Sequence, residues 1–149
     1  MKSLEQKNDS DLTILFALRS KKFIRLHNSM TNSLQKICKN CNCQINEGPD
    51  SNKFDALITN YDGNGIDLLI EAKSSILRPH LRLAVGQLWD YRRGLGRHIA
   101  THLAVLLPQK PDFESLEFLN YIGIKTLWFT NKTLKKIEGN FLTKISNKV

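Results

Sequence analysis

At 149 residues the chain has room for a single domain with a sizeable core, 1–149, and little for a separate specificity domain. Its 41% hydrophobic and 24% charged content excludes disordered and fibrous classes, and no run approaches the ~20 apolar residues of a membrane span. A net charge of +8 points to a polyanionic partner, and without a spanning segment no membrane partner is expected. Glu5, Asp9 and Asp11 precede the short apolar run Leu12 to Leu18, which makes a poor signal peptide, so a cytoplasmic protein is expected.

In chain order, residues 9–19 read as an apolar helical segment, although Leu12 to Phe16 also fit a strand. Over 20–39, Phe23, Leu26, Met30, Leu34 and Ile37 recur three or four apart, which predicts a helix. Cys38, Cys41 and Cys43 follow; only His27 is near enough in sequence to complete a zinc site, so free thiols are the expectation. Cys41 to Glu47 fits a first strand. Lys53 to Tyr61 and Ile66 to Ser75 fit a second and third, on either side of the turn Asp62-Gly-Asn-Gly65.

Pro79 suits the first turn of a helix, and Gly94 and Gly96 its exit. Leu81, Val85, Leu88 and Leu95 make its buried stripe, Gln87 and Tyr91 share another edge, and Trp89 and Tyr91 read as core. His102 to Leu107, stopped by Pro108, is a buried strand. Asp112 caps a helix that runs to Ile122 and closes at Gly123. Lys125 to Thr130 is the last strand, followed by a Lys-rich tail. These elements assemble into an α/β mixed sheet with helices on both faces.

The third strand carries the chemistry. Its even positions Ile66, Leu68, Ile70 and Ala72 face a core, and its odd positions end in Glu71 and Lys73, side by side on the other face. If the second and third strands form a hairpin, an odd-length turn or a bulge puts Asp55 opposite Glu71, on that same face. A plain four-residue turn would put it opposite Ala72. Asp55, Glu71 and the Ala72 carbonyl form an all-oxygen set of the kind a hard divalent cation takes. Beside them, Lys73 can hold a water or stabilise charge building on a phosphate, a combination suited to phosphodiester hydrolysis.

An Asp, a turn, and an apolar strand ending in Glu71-Ala72-Lys73 resemble the PD-(D/E)XK nuclease superfamily, which includes many restriction enzymes. Gln87 and Tyr91, in Gly86-Gln-Leu-Trp-Asp-Tyr-Arg-Arg93, are similar to the Gln-x-x-x-Tyr helix of the RecB and lambda-exonuclease branches. The resemblance covers residues 53 to 93. It implies a restriction-endonuclease-like αβββαβ core with a mixed sheet flanked by helices. It also implies Mg²⁺ as cofactor, with Mn²⁺ as a substitute, held by Asp55, Glu71 and Ala72. Lys73 would assist the water and Gln87 support the site. Many members place a glutamate on the first core helix, but Lys21 to Lys39 contains no acid; His27 is among the polar groups offered instead. Asp50, in Pro49-Asp50, is the reserve for Asp55, and Tyr91 a further accessory.

Five of the seven arginines, Arg78, Arg82, Arg92, Arg93 and Arg97, fall just after this strand, where a nucleic-acid backbone would need holding. The leading expectation is a Mg²⁺-dependent deoxyribonuclease, an endonuclease of restriction, homing or junction-resolving type. A catalytically silent nucleic-acid-binding module of the same fold and a DNA exonuclease are the alternatives. Cutting both strands of a duplex needs two sites, which predicts a homodimer or higher oligomer with DNA as partner.

Overall fold

Residues 13–96 and 99–139 are described here from a computed structural model, with side chains from residue 21 onward. In chain order they form α1 (Thr13–Asn40), β1 (Ile45–Asn46), β2 (Ala56–Ile58), β3 (Asp67–Ala72), α2 (Arg78–Gly94), β4 (Thr101–Leu107), α3 (Phe113–Tyr121), β5 (Lys125–Phe129) and β6 (Ile137–Gly139). The sheet has six strands in the order β1-β2-β3-β4-β5-β6. It is mixed: β1 to β3 form an antiparallel meander, β3, β4 and β5 run parallel, and β6 closes the far edge antiparallel.

Alternation along β3 decides what each face packs against. Its even residues Leu68, Ile70 and Ala72 join Met30, Leu34 and Cys38 of α1, with Ala56, Ile58, Ala104 and Leu106. Leu69 on the odd face joins Leu81, Ala84 and Leu88 of α2, Leu119 of α3, and Val105 and Leu107. One helix therefore covers one face and two cover the other. Each fully buried leucine contributes roughly 1.5–3 kcal/mol relative to exposure, so these stripes fix where the helices lie. β4, between two parallel neighbours, is buried from Leu103 to Leu107 and shows the unbroken apolar run such a strand requires.

The helix expected over 20–39 starts earlier, at Thr13, and absorbs the described part of the apolar segment at 9–19. The rest of that segment lies outside the described residues. The first strand is two residues long, not the seven read from Cys41 to Glu47, because Cys41 packs into the core and the backbone leaves α1 through Asn42 at φ 55°. β6 was not expected at all. It sits in the segment read as a Lys-rich tail, whose remainder past 139 is not described, and it carries only Ile137 as an apolar anchor. Asp112 does cap α3, accepting the Ser115 N–H at 2.7 Å, and Gly123 ends it at φ +76°.

The hairpin register is the feature on which the site depends. Ala56 pairs with Ile70, Leu57 with Leu69 and Ile58 with Leu68. Below them the Tyr61 N–H donates to the Ile66 carbonyl at 2.9 Å, closing a turn through Asp62 to Gly65. The first strand thus carries one residue more than the second between these points, and Asn60 takes it up in the left-handed region at φ 50°. Asp62 Oδ1 accepts the Asn64 and Ile66 N–H groups, at 2.8 and 3.2 Å, and fixes the turn. Extended upward by one residue, this register sets Asp55 against Glu71, as the alternation required. No helix among the described residues is long and apolar enough to cross a membrane.

Candidate active site

At the end of β3 three side chains expected to act together do meet. Lys73 Nζ donates to Glu71 Oε1 at 2.8 Å and to Gln87 Oε1 at 2.5 Å, so one ammonium ties the strand to α2. One turn along α2, Gln87 Nε2 donates to the Tyr91 hydroxyl at 3.4 Å. Glu71 is only 4% exposed. Asp55 stands one residue ahead of β2, not inside it, because the Phe54 N–H turns back to the Asn52 carbonyl (2.9 Å). Its side chain still continues the ladder: Asp55 Oδ2 accepts the Ala72 N–H at 2.8 Å.

α1 closes the site from the opposite face. His27 Nε2 lies 3.1 Å from the same Asp55 oxygen. One turn earlier, the Phe23 carbonyl accepts the Ser74 hydroxyl at 2.7 Å, and the His80 ring tilts against the Phe23 ring with centroids 6.2 Å apart. The helix that lacks a glutamate thus offers a histidine, and it offers it to Asp55. Ser74 was not singled out from the sequence, nor was Asn52, whose Nδ2 donates to the Tyr91 carbonyl at 3.1 Å. Asn52 packs so closely on α2 that a Cβ on Gly94 would lie 2.6 Å from its amide. The only sequence signal for that contact was a glycine, read as a helix exit.

The electrostatics separate the two carboxylates. Burial alone would raise Asp55, but the His27 hydrogen bond, the Ala72 N–H and the charges of His27 and Lys73 outweigh it, and Asp55 falls below its ordinary value. The same hydrogen bond raises His27 against its own burial. Glu71 goes the other way. Burial, then the neighbouring Asp55 charge, push it from 4.5 up to about 7, although the Lys73 hydrogen bond and charge pull it down. Asp55 is thus held ionised, while Glu71 keeps its proton toward the neutral range.

The donor set fits a hard divalent cation. A strand residue directs its N–H and C=O to the same edge, so the Ala72 carbonyl leaves β3 on the side where Asp55 sits. The Phe54 N–H that the ladder would place against it is taken by Asn52, which frees this oxygen. Asp55, Glu71 and the Ala72 carbonyl are then three oxygen donors at one strand end, the small complement with which Mg²⁺ binds when water and substrate fill the remainder. Among the described residues no group of three or more His, Cys, Asp and Glu side chains converges as a metal cluster. Cys38 and Cys41 are buried in the core, with the Cys38 thiol pushed up to about 12 by burial.

The other residues singled out from the sequence are scattered. Asp50 is fully exposed in a turn, 3.8 Å from Lys53 Nζ, and takes no part in the site. Arg78 reaches α3, with Nε 3.3 Å from Ser115 Oγ and its guanidinium 5.5 Å from the Phe118 ring centre. Arg92 donates to the Gly96 and Ile99 carbonyls at 2.8 and 2.7 Å and fastens the segment that follows α2. Arg82 and Arg93 are exposed, the latter 2.8 Å from Asp90, and Arg97 lies outside the described residues. Trp89, expected in the core, is 55% exposed on the outer face of α2, while Tyr91 packs against the core as expected.

Arg92 therefore acts inside the fold. Arg92→Ala is expected to lower stability by about 1–3 kcal/mol in urea unfolding, the range for losing hydrogen bonds from a charged donor. It should leave the salt dependence of any DNA binding unchanged. A flattened salt slope at full stability would return Arg92 to the phosphate surface.

No protein-family model matches this chain, and neither do curated proteins or solved structures.

Proposed function

We infer that the protein is a metal-dependent deoxyribonuclease of PD-(D/E)XK type, with Mg²⁺ as cofactor and Mn²⁺ as a substitute. The observation that carries this reading is the single cluster of Asp55, Glu71, Lys73 and Gln87, drawn from the β2 approach, β3 and α2, with one ammonium hydrogen-bonded to two of its members. A buried carboxylate pair beside an ammonium is an arrangement that folding alone has little use for. The +8 charge supports a polyanionic substrate.

Asp55, Glu71 and the Ala72 carbonyl would hold the cation, which when bound supplies positive charge to the phosphate oxygens. His27 orients Asp55 through their hydrogen bond and keeps it ionised. Lys73, aimed by Glu71 and Gln87, would offer a donor to the attacking water or to the phosphate. Hydrolysis joins the water oxygen to phosphorus, breaks the bond to the leaving oxygen, and passes a water proton to that oxygen. Tyr91 holds Gln87 and acts one step further back.

The test is cleavage of supercoiled plasmid, linear duplex and single-stranded DNA with Mg²⁺ or EDTA, with Glu71→Ala alongside as the control for contaminating nuclease. Metal-dependent cutting that disappears in the variant is expected, with nicking of the closed plasmid marking an endonuclease. DNA binding with no cutting of any substrate would replace this reading with that of a silent binding module.

A further inference from the structure

The outer face of α2 carries a leucine and a tryptophan that the monomer leaves uncovered. Arg82, Leu83, Gly86, Trp89, Asp90 and Arg93 are all exposed there, Leu83 by 58% and Trp89 by 55%. At 3.6 residues per turn, Gly86 sits at the centre of this face, with Leu83 and Trp89 about 60° to either side. A Cβ at Gly86 would meet nothing within 4 Å. Nothing in the monomer therefore calls for glycine in mid-helix, where it is a poor former.

We propose that this face docks on the same face of a second copy of the chain, the two α2 helices running antiparallel about a two-fold axis at Gly86. The symmetry then fixes the register: each residue a given number of places before Gly86 meets the residue as many places after it on the other copy. Leu83 falls against Trp89 of the partner subunit. Arg82 falls against Asp90 of the partner subunit, and the axis repeats both contacts. At the crossing glycine meets glycine, which brings the axes toward the near end of the ~8–10 Å range for packed helices.

Charge selects this arrangement over the parallel one. With helices parallel, Arg82 would meet Arg82 and Asp90 would meet Asp90, like against like. Antiparallel, Arg82 meets the opposite charge of Asp90 twice over, beside the 2.8 Å bond that Arg93 makes to Asp90 in its own helix, while Arg93 itself falls against Pro79 of the partner subunit. One helix face lies at the low end of specific interfaces, ~1,200 Å² in total, so association in the micromolar range is expected. Leu83 is one turn from Gln87, so the interface borders the candidate site in each copy. The dimer stands whether or not the protein is a nuclease.

Sedimentation velocity on the full chain, from low micromolar to several hundred micromolar, tests it. The wild type should pass from monomer to dimer. Gly86→Glu has space in the monomer but sets a carboxylate against its own copy at the crossing, and should weaken association at least tenfold while its melting temperature in dilute solution does not fall. Arg82→Glu should also weaken the dimer, and Arg82→Glu combined with Asp90→Lys should restore it, because the pairing is reversed and kept. A monomer at every concentration, or a dimer indifferent to Gly86→Glu, would overturn the proposal. So would a Gly86→Glu protein of unchanged mass that loses affinity for duplex DNA, which would make this face a nucleic-acid surface.

Discussion

Lys73→Ala is expected to slow single-turnover cleavage by about 10²–10³-fold, the usual loss when one charge-stabilising donor is removed from an active site. DNA affinity should change little, because the Lys73 side chain is only 14% exposed and its ammonium faces Glu71 and Gln87. Lys73→Arg should rescue little of the rate, since a planar fork cannot reproduce a compact ammonium held between two oxygens. A second signature separates catalysis from mere structure. The Lys73 charge pulls Glu71 down, so its removal should lift Glu71 further above about 7 and move the acid limb of the residual pH–rate profile to higher pH. Equal loss of binding and cleavage, with an unshifted profile, would count against a catalytic Lys73.

How much of this was legible in the sequence depends on the kind of signal. The hairpin register was legible because the side-chain period of a strand is two: placing Ile70 and Ala72 in the core forces Glu71 and Lys73 to the other face. The bulge that completes the match was legible only as a condition, since Asn60 at φ 50° announces itself no more than any loop asparagine. The partnership of His27 with Asp55 crosses 28 positions and both faces of the sheet edge, and no local pattern encodes it. His27 could be noted only as the polar group available where an acid was missing.

The arginines are only partly legible for a related reason. A cluster in sequence becomes a cluster in space only if a helix sets its members on one face, and α2 does so for Arg82 and Arg93 alone. Arg92 turns to the chain that leaves the helix and Arg78 to α3, while Arg82 and Arg93 face outward. Trp89 defeats the composition rule that puts tryptophan inside, because Leu81, Ala84 and Leu88 already fill the buried stripe of α2 and leave Trp89 on the far side. β6 escapes notice because an edge strand with a single apolar contact reads as a charged tail.

Glu71→Gln should abolish cleavage and yet stabilise the protein at alkaline pH. The folded state holds Glu71 at about 7 against an ordinary 4.5, so between these values folding favours the protonated form. The stability carried by that proton is fully present below 4.5 and lost as pH rises through about 7. At 1.36 kcal/mol per pKa step the loss is at most about 3 kcal/mol, and about 1–3 is the expectation for a carboxylate tied to its neighbours. Glutamine imitates the protonated group and never ionises. The variant should therefore match the wild type in urea unfolding near pH 4 and exceed it at pH 8, by a margin that grows between. Mg²⁺ should narrow the gap by stabilising only the wild type, since a cation that binds the folded site adds RT ln(1 + [L]/Kd), about 2.7 kcal/mol at a hundredfold excess over Kd. His27, raised in the fold, also loses stability as pH rises, but it does so in both proteins, and the Glu71 charge is the least of its causes, so little of it enters the comparison. A Glu71→Gln protein less stable at pH 8, or equally stabilised by Mg²⁺, would mean that Glu71 serves the fold and not a cation.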